Sequence, residues 1–134
     1  MSKENTRIFE CFRTGVHVTM SGRETLWTSE DLEQICSNYR RRPNRAPLVL
    51  GHPADNLPAF GEVGELFHRN GRLYAVAQVG AGLLEAVKQG YYRHVSASFE
   101  AASSVGGRGW NLRHIGFLAQ YKNPVRPADS AIAR

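Results

Sequence analysis

The sequence predicts an α+β fold that is mainly β, a small and mostly antiparallel barrel or rolled sheet with peripheral helices. Three observations carry this. Seven short runs are apolar or alternate apolar with polar, and turn residues separate them, as strands require. Only two segments have helical periodicity, and they do not alternate with the strands. No βαβ series results, so a doubly wound parallel sheet is not expected. Asn70-Gly71, set between two alternating runs, is a two-residue hairpin signal that makes those runs partners.

Residues 8–13 read as the first strand. Gly15 breaks it, 16–20 resume it, and Ser21-Gly22-Arg23 is a turn. Thr28-Ser29-Glu30-Asp31 opens a helix. Thr28 can cap its free N–H groups, and Glu30 and Asp31 sit at the positive end of its dipole. Leu32, Ile35, Cys36 and Tyr39 fall at i, i+3, i+4 and i+7, one apolar stripe, and Pro43 lies past the end. Residues 47–50 form a short apolar strand that runs into Gly51-His52-Pro53. A loop follows over 54–58, with Asp55-Asn56 as turn formers.

The hairpin strands are 60–67 and 73–79. Between Gly80 and Gly90 lies a short helix, with Leu83, Leu84 and Val87 on one side and Gly90 as its stop. Residues 91–99 are the next strand. The stretch 103–109 holds three glycines and reads as a mobile loop. Residues 110–118 are the last strand. The tail from Pro124 has two prolines and small residues, the composition of a linker. One domain over 1–123 is expected, with 124–134 as a tail. A chain of 134 residues can bury one core of ordinary size.

Composition narrows the function class. At 42% hydrophobic and 22% charged residues, the chain resembles an ordinary globular protein. No apolar run approaches the roughly 20 residues of a membrane helix, so no membrane partner is expected. Met1-Ser2-Lys3-Glu4-Asn5 has no apolar signal segment, which points to a cytoplasmic protein. Cys11 and Cys36 form no Cys-x-x-Cys pair, so neither a disulfide nor a thiolate metal site is expected.

The net charge of +5 is densest at Arg40-Arg41-Arg42-Pro43-Asn44-Arg45. A nucleic-acid patch is one reading. No aromatic side chains interleave to form a stacking platform, however, and basic residues at a helix C-terminus complement its dipole. A solvated loop is preferred, and nucleic acid ranks last among the partners.

Chemistry concentrates on Tyr91-Tyr92-Arg93-His94-Val95-Ser96-Ala97-Ser98-Phe99. Val95, Ala97 and Phe99 point to one face, and His94, Ser96 and Ser98 to the other. Hydroxyls beside an imidazole are the material of nucleophilic catalysis, where a base must take the proton of a weakly acidic serine. The alternative is a solvated strand face without chemistry. His52 sits between Gly51 and Pro53 on a stiff corner, which suits a base, or a histidine that closes a loop. His114 alternates with Leu112 and Gly116 on a strand that can neighbour the serine strand; it is either a partner of the base or a structural histidine.

His94 lies two residues from Ser96, roughly 6.5–7 Å along the strand, too far for a hydrogen bond, and counts as a flank. His17 and His68 have no supporting context. No His-x-x-x-His or Cys-x-x-Cys element is present, so neither a metal nor a cofactor is expected. Gly-x-Ser-x-Gly and phosphate-loop motifs are absent from the sequence. Asp31, Asp55 and Asp129 are the only aspartates, so an acidic triad member would have to be Asp55 or a glutamate. A second histidine can orient the first instead, accepting its N–H, but it stabilises an imidazolium less than a carboxylate does.

Several stretches together resemble the tailed-phage capsid maturation proteases, above all the Mu-like protease I and prohead protease group. They are Ala46-Pro47-Leu48-Val49-Leu50-Gly51-His52-Pro53, Pro58-Ala59-Phe60-Gly61, Arg72-Leu73-Tyr74-Ala75, Gly90-Tyr91-Tyr92-Arg93-His94-Val95-Ser96-Ala97-Ser98-Phe99 and Leu112-Arg113-His114-Ile115-Gly116-Phe117-Leu118. Phe12-Arg13-Thr14-Gly15 and the 27–39 helix fit the same pattern. The resemblance covers nearly the whole chain. Gly-His-Pro followed by Tyr-Arg-x-x-Ser-x-x-Phe is its most specific part.

The resemblance implies a serine endopeptidase with the fold of the herpesvirus assemblins and a Ser-His-His triad in the chain order His, Ser, His. Carried over, Ser96 is the nucleophile, His52 the base and His114 the third member, where many phage relatives have an acid. Ser98 shares the face of Ser96 and is the competing nucleophile. The oxyanion loop would fall near residues 120–123. Scaffold protein and major capsid protein are the implied substrates, in the host cytoplasm and inside the assembling prohead.

Activity should fall below roughly pH 6.5, where a free histidine protonates. Relatives often continue into a helical scaffolding segment, so the chain is expected to be a protease domain of a longer protein or a self-cleavage product. Assemblins pair to become active; no pairing helix is evident here, and homo-oligomerisation stays open. The rival to the enzyme is a catalytically idle structural or scaffold-binding prohead domain.

Overall fold

The computed structural model describes residues 5–18, 22–101 and 109–119. The expectations for 1–4, 19–21, the glycine-rich stretch 103–108, the oxyanion segment 120–123 and the tail 124–134 lie outside the described residues.

Ten elements follow in order: β1 (Thr6–Arg13), β2 (Gly15–Val18), β3 (Glu24–Trp27), α1 (Ser29–Arg41), β4 (Leu48–Leu50), β5 (Gly61–Arg69), β6 (Arg72–Val79), α2 (Ala81–Lys88), β7 (Tyr92–Ala101) and β8 (Trp110–Ala119). They form sheets of order β1-β6-β5, β2-β3 and β4-β8-β7. The fold is α+β and mainly sheet, as the sequence predicts. Its pairings are antiparallel except β4 beside β8, which is parallel. Of the two architectures expected, the closed barrel does not form: among the described strands the ladders end in three separate sheets. Aromatic pairs hold the larger two together, Phe9 against Phe117 at 5.9 Å and Phe12 against Phe99 at 5.0 Å between ring centroids.

The hairpin forms at the expected turn. Asn70 and Gly71 have φ of 54° and 77°, the left-handed pair that matches the twist of β5 and β6. Helix α1 begins with a capping box: the Asp31 N–H donates to Thr28 Oγ1 at 3.3 Å, and the Thr28 N–H donates to Asp31 Oδ2 at 2.8 Å. Its stripe Leu32, Ile35, Cys36 and Tyr39 is buried against the sheets.

Strand β3 has no counterpart among the elements that the sequence predicts. Its four residues are too few to show alternation, and it forms an antiparallel hairpin with β2. Val16 and Leu26 are exposed, while His17 is buried, its ring tilted against Phe12 at 4.7 Å between centroids and donating from Nε2 to the Arg13 carbonyl at 2.8 Å. His68 instead pairs with Glu33 at the surface.

The arginine run is more than the solvated loop expected of it. The guanidinium carbons of Arg42 and Arg45 lie 5.0 and 5.2 Å from the Tyr39 ring centroid. Arg42 also donates to the Leu112 carbonyl, and Arg45 to the Gly64 carbonyl at 2.8 Å. The Tyr39 hydroxyl donates to the Val63 carbonyl and accepts the Ala46 N–H at 2.8 Å. The end of α1 is thereby bound to both larger sheets.

Cys11 and Cys36 are buried free thiols. Burial raises both, with Cys36 pushed up to about 11 by burial first and Glu33 second. No helix among the described residues is long and apolar enough to cross a membrane.

Candidate active site

Three elements of one sheet deliver the predicted side chains. Strand β7 packs Val95, Ala97 and Phe99 on the core and turns Ser96 to the other face. There Ser96 has no exposed surface, because the chain after β4 covers it. Strand β8 runs beside β7 with Gly116 opposite Ser96 and His114 opposite Ser98. On its far side β8 pairs with β4, Val49 against Gly116.

The chain leaves β4 at Gly51, whose N–H donates to the Phe117 carbonyl at 3.0 Å and whose φ is +66°, a conformation glycine adopts without penalty. It then crosses directly over Gly116. A Cβ added there would collide with the Gly51 carbonyl and reach 3.3 Å from His52 Cε1. The parallel pairing and the bare glycine together bring His52 onto the face that carries Ser96.

His52 Nε2 lies 2.8 Å from Ser96 Oγ, and His52 Nδ1 lies 2.8 Å from His114 Nε2. The two rings are 5.0 Å apart between centroids. His114 is 1% exposed, and its Nδ1 lies 2.7 Å from Asn56 Oδ1. Arg113, from the same strand, donates to that Oδ1 at 3.2 Å and to the Ala54 carbonyl at 3.1 Å.

Thus Ser96, His52 and His114 are brought together, and Asn56 joins them. Ser98 is close to His114 by register, but all four imidazole nitrogens are engaged without its hydroxyl. His94 keeps the Ser96 face by register, opposite Leu118, and borders a cleft of about 350 Å³ with Phe9, Val87 and Tyr92, but it is not a hydrogen-bond partner of Ser96, His52 or His114. Asn56 and Arg113 have no place among the residues that the sequence reading singled out for chemistry. The one signal for Asn56 was its turn propensity, and it does take a left-handed φ of 60°. What its amide reaches, 58 residues on, has no local signature.

The electrostatics favour neutral rings. His114 is pushed down to about 4, by burial first and then by His52 and Arg113. His52 is exposed on its outer side, but both ring nitrogens face buried partners; that loss of water, and then Arg113, lowers it below 6.5. Among the described residues no carboxylate hydrogen-bonds to either ring. Glu100 lies 4.0 Å from Arg113 Nε and offsets part of its charge. Also among the described residues, no group of three or more His, Cys, Asp or Glu side chains is disposed to hold a metal. A neutral imidazole held by a second, with its other nitrogen on a serine hydroxyl, is chemically able to take that hydroxyl's proton.

No protein-family model, curated protein or solved structure matches the chain.

Proposed function

We propose that this chain is a serine endopeptidase of the phage or prophage head maturation type, cutting scaffold and capsid-protein extensions during prohead assembly. The observation that carries this is the unbroken series Ser96 Oγ, His52 and His114, each contact 2.8 Å, in residues otherwise far apart in the chain. The order His, Ser, His and the motifs around Gly51-His52-Pro53 and Tyr92 to Phe99 are those of the phage proteases that the sequence resembles.

In the proposed reaction, Ser96 Oγ bonds to the scissile carbonyl carbon as its proton passes to His52 Nε2. The carbonyl π pair moves onto oxygen, then returns and expels the amine nitrogen, which takes the proton from His52. A water molecule next attacks the acyl ester and gives its proton to His52. Collapse releases the acid and returns that proton to Ser96. His114 is a positioning residue throughout: it accepts the His52 Nδ1–H and keeps Nε2 pointed at the serine.

One observation favours a second reading, the idle structural or scaffold-binding domain: Ser96 has no exposed surface, so a scissile carbonyl must displace something to reach it. A serine-directed phosphonate separates the two. Covalent labelling confined to Ser96 supports the protease. A folded protein that stays unlabelled at Ser96, with or without scaffold present, is the idle domain.

A further inference from the structure

The contacts beyond His114 have a direction. Arg113 Nη2 and His114 Nδ1 converge on one atom of Asn56, at 3.2 and 2.7 Å. A guanidinium only donates, so the atom it meets is the acceptor of the amide, its oxygen. His114 Nδ1 must then donate to that oxygen. A neutral imidazole has one donor and one acceptor nitrogen, so His114 Nε2 accepts. His52 Nδ1 therefore donates to it, and His52 Nε2 keeps its lone pair for the Ser96 proton.

The opposite amide orientation would set the Asn56 NH2 against Arg113. It would also reverse every bond that follows, leaving His52 Nε2 protonated and unable to act as a base.

We propose that Asn56 is a positioning residue that sets the direction of proton transfer through His114 and His52, with Arg113 locking its amide. The loop is built for it. The Asn56 N–H donates to the Pro53 carbonyl at 3.2 Å, so the base and its remote orienter share one tight turn. Its φ of 60° is one that Asn, Asp or Gly takes at little cost. Arg113 grips the same turn at the Ala54 carbonyl. The neighbouring carboxylate is turned away, since Asp55 Oδ1 accepts the Leu57 N–H at 3.2 Å. The titratable group at His114 is thus His52 and the charged one Arg113, with Glu100 behind Arg113. An amide gives the relay polarity without adding charge.

The effect on proteolysis rests on the proposed function, but the tautomers do not, and they are measured separately. Nitrogen-15 spectra of the histidine rings in the full chain at neutral pH should place the His114 and His52 protons on Nδ1. Asn56→Gly keeps the left-handed turn and removes the acceptor. It should give mixed tautomers at both rings and lower kcat roughly 10- to 100-fold with KM little changed. Asn56→Asp keeps an acceptor, restores the Nδ1–H forms and moves the acid limb of the pH profile upward. His114 protonated on Nε2 in the unmodified chain, or an Asn56→Gly spectrum identical to it, overturns the proposal. Correct tautomers in a chain that cleaves nothing would uphold it and count against the protease alone.

Discussion

Gly116 lies directly across the β7–β8 ladder from Ser96, and the side chain it lacks is the space that the Gly51-His52 corner occupies. The residue that makes room for His52, the proposed base, is therefore the cross-strand partner of Ser96, the proposed nucleophile. Gly116→Ala should push the corner off the sheet. Overpacking of this kind costs about 1–3 kcal/mol. Denaturant unfolding should register that loss, and phosphonate labelling of Ser96 should fall further than the stability loss explains.

Ser96 and Ser98 share a face, but only Ser96 meets His52. Ser96→Ala should abolish processing of a co-expressed scaffold protein, whereas Ser98→Ala should keep most of it. Gel analysis of the scaffold decides between them. Processing at the wild-type level by the Ser96→Ala protein removes it as nucleophile.

The acid limb of activity should lie below the 6.5 of a free histidine, because His52 is lowered by the loss of water around its nitrogens and by Arg113. Stability follows the same sign. A histidine whose folded value is depressed binds fewer protons than its unfolded counterpart, so stability is full above about 6.5 and declines as pH falls. His114, at about 4, gives the larger share, on the order of 2–3 kcal/mol, lost between 6.5 and 4. Unfolding midpoints across that range should drop with acid. A midpoint that rises there would show that the rings gain protons on folding.

The Tyr39 hydroxyl joins the Val63 carbonyl to the Ala46 N–H in a buried site. Tyr39→Phe should cost about 1–3 kcal/mol, because both groups lose a partner away from water. The site joins α1, β5 and the segment before β4, and none of its groups bonds to Ser96, His52 or His114, so Ser96 labelling should persist in the folded variant. Calorimetry alongside labelling tests both halves.

Much of the local structure was legible in the chain itself. The stripe Leu32, Ile35, Cys36 and Tyr39, the Thr28 cap, the Asn70-Gly71 hairpin and the alternation of β7 all follow from rules acting over a few residues. The stiffness of Gly51-His52-Pro53 and the polar face of Ser96 were equally plain. What tertiary structure alone decided was convergence. Parallel pairing of β4 with β8 brings His52 over Gly116, and the β7–β8 register puts Ser96 and His114 on one face. A slip of one residue would turn Ser96 into the core. Asn56 looked like a turn former and is one, yet its amide ends on His114. Periodicity and turn chemistry are properties of neighbours in sequence, so a chain carries them openly. Which distant hydrogen-bonding atoms meet depends on how separate segments share one core, and no short stretch contains that.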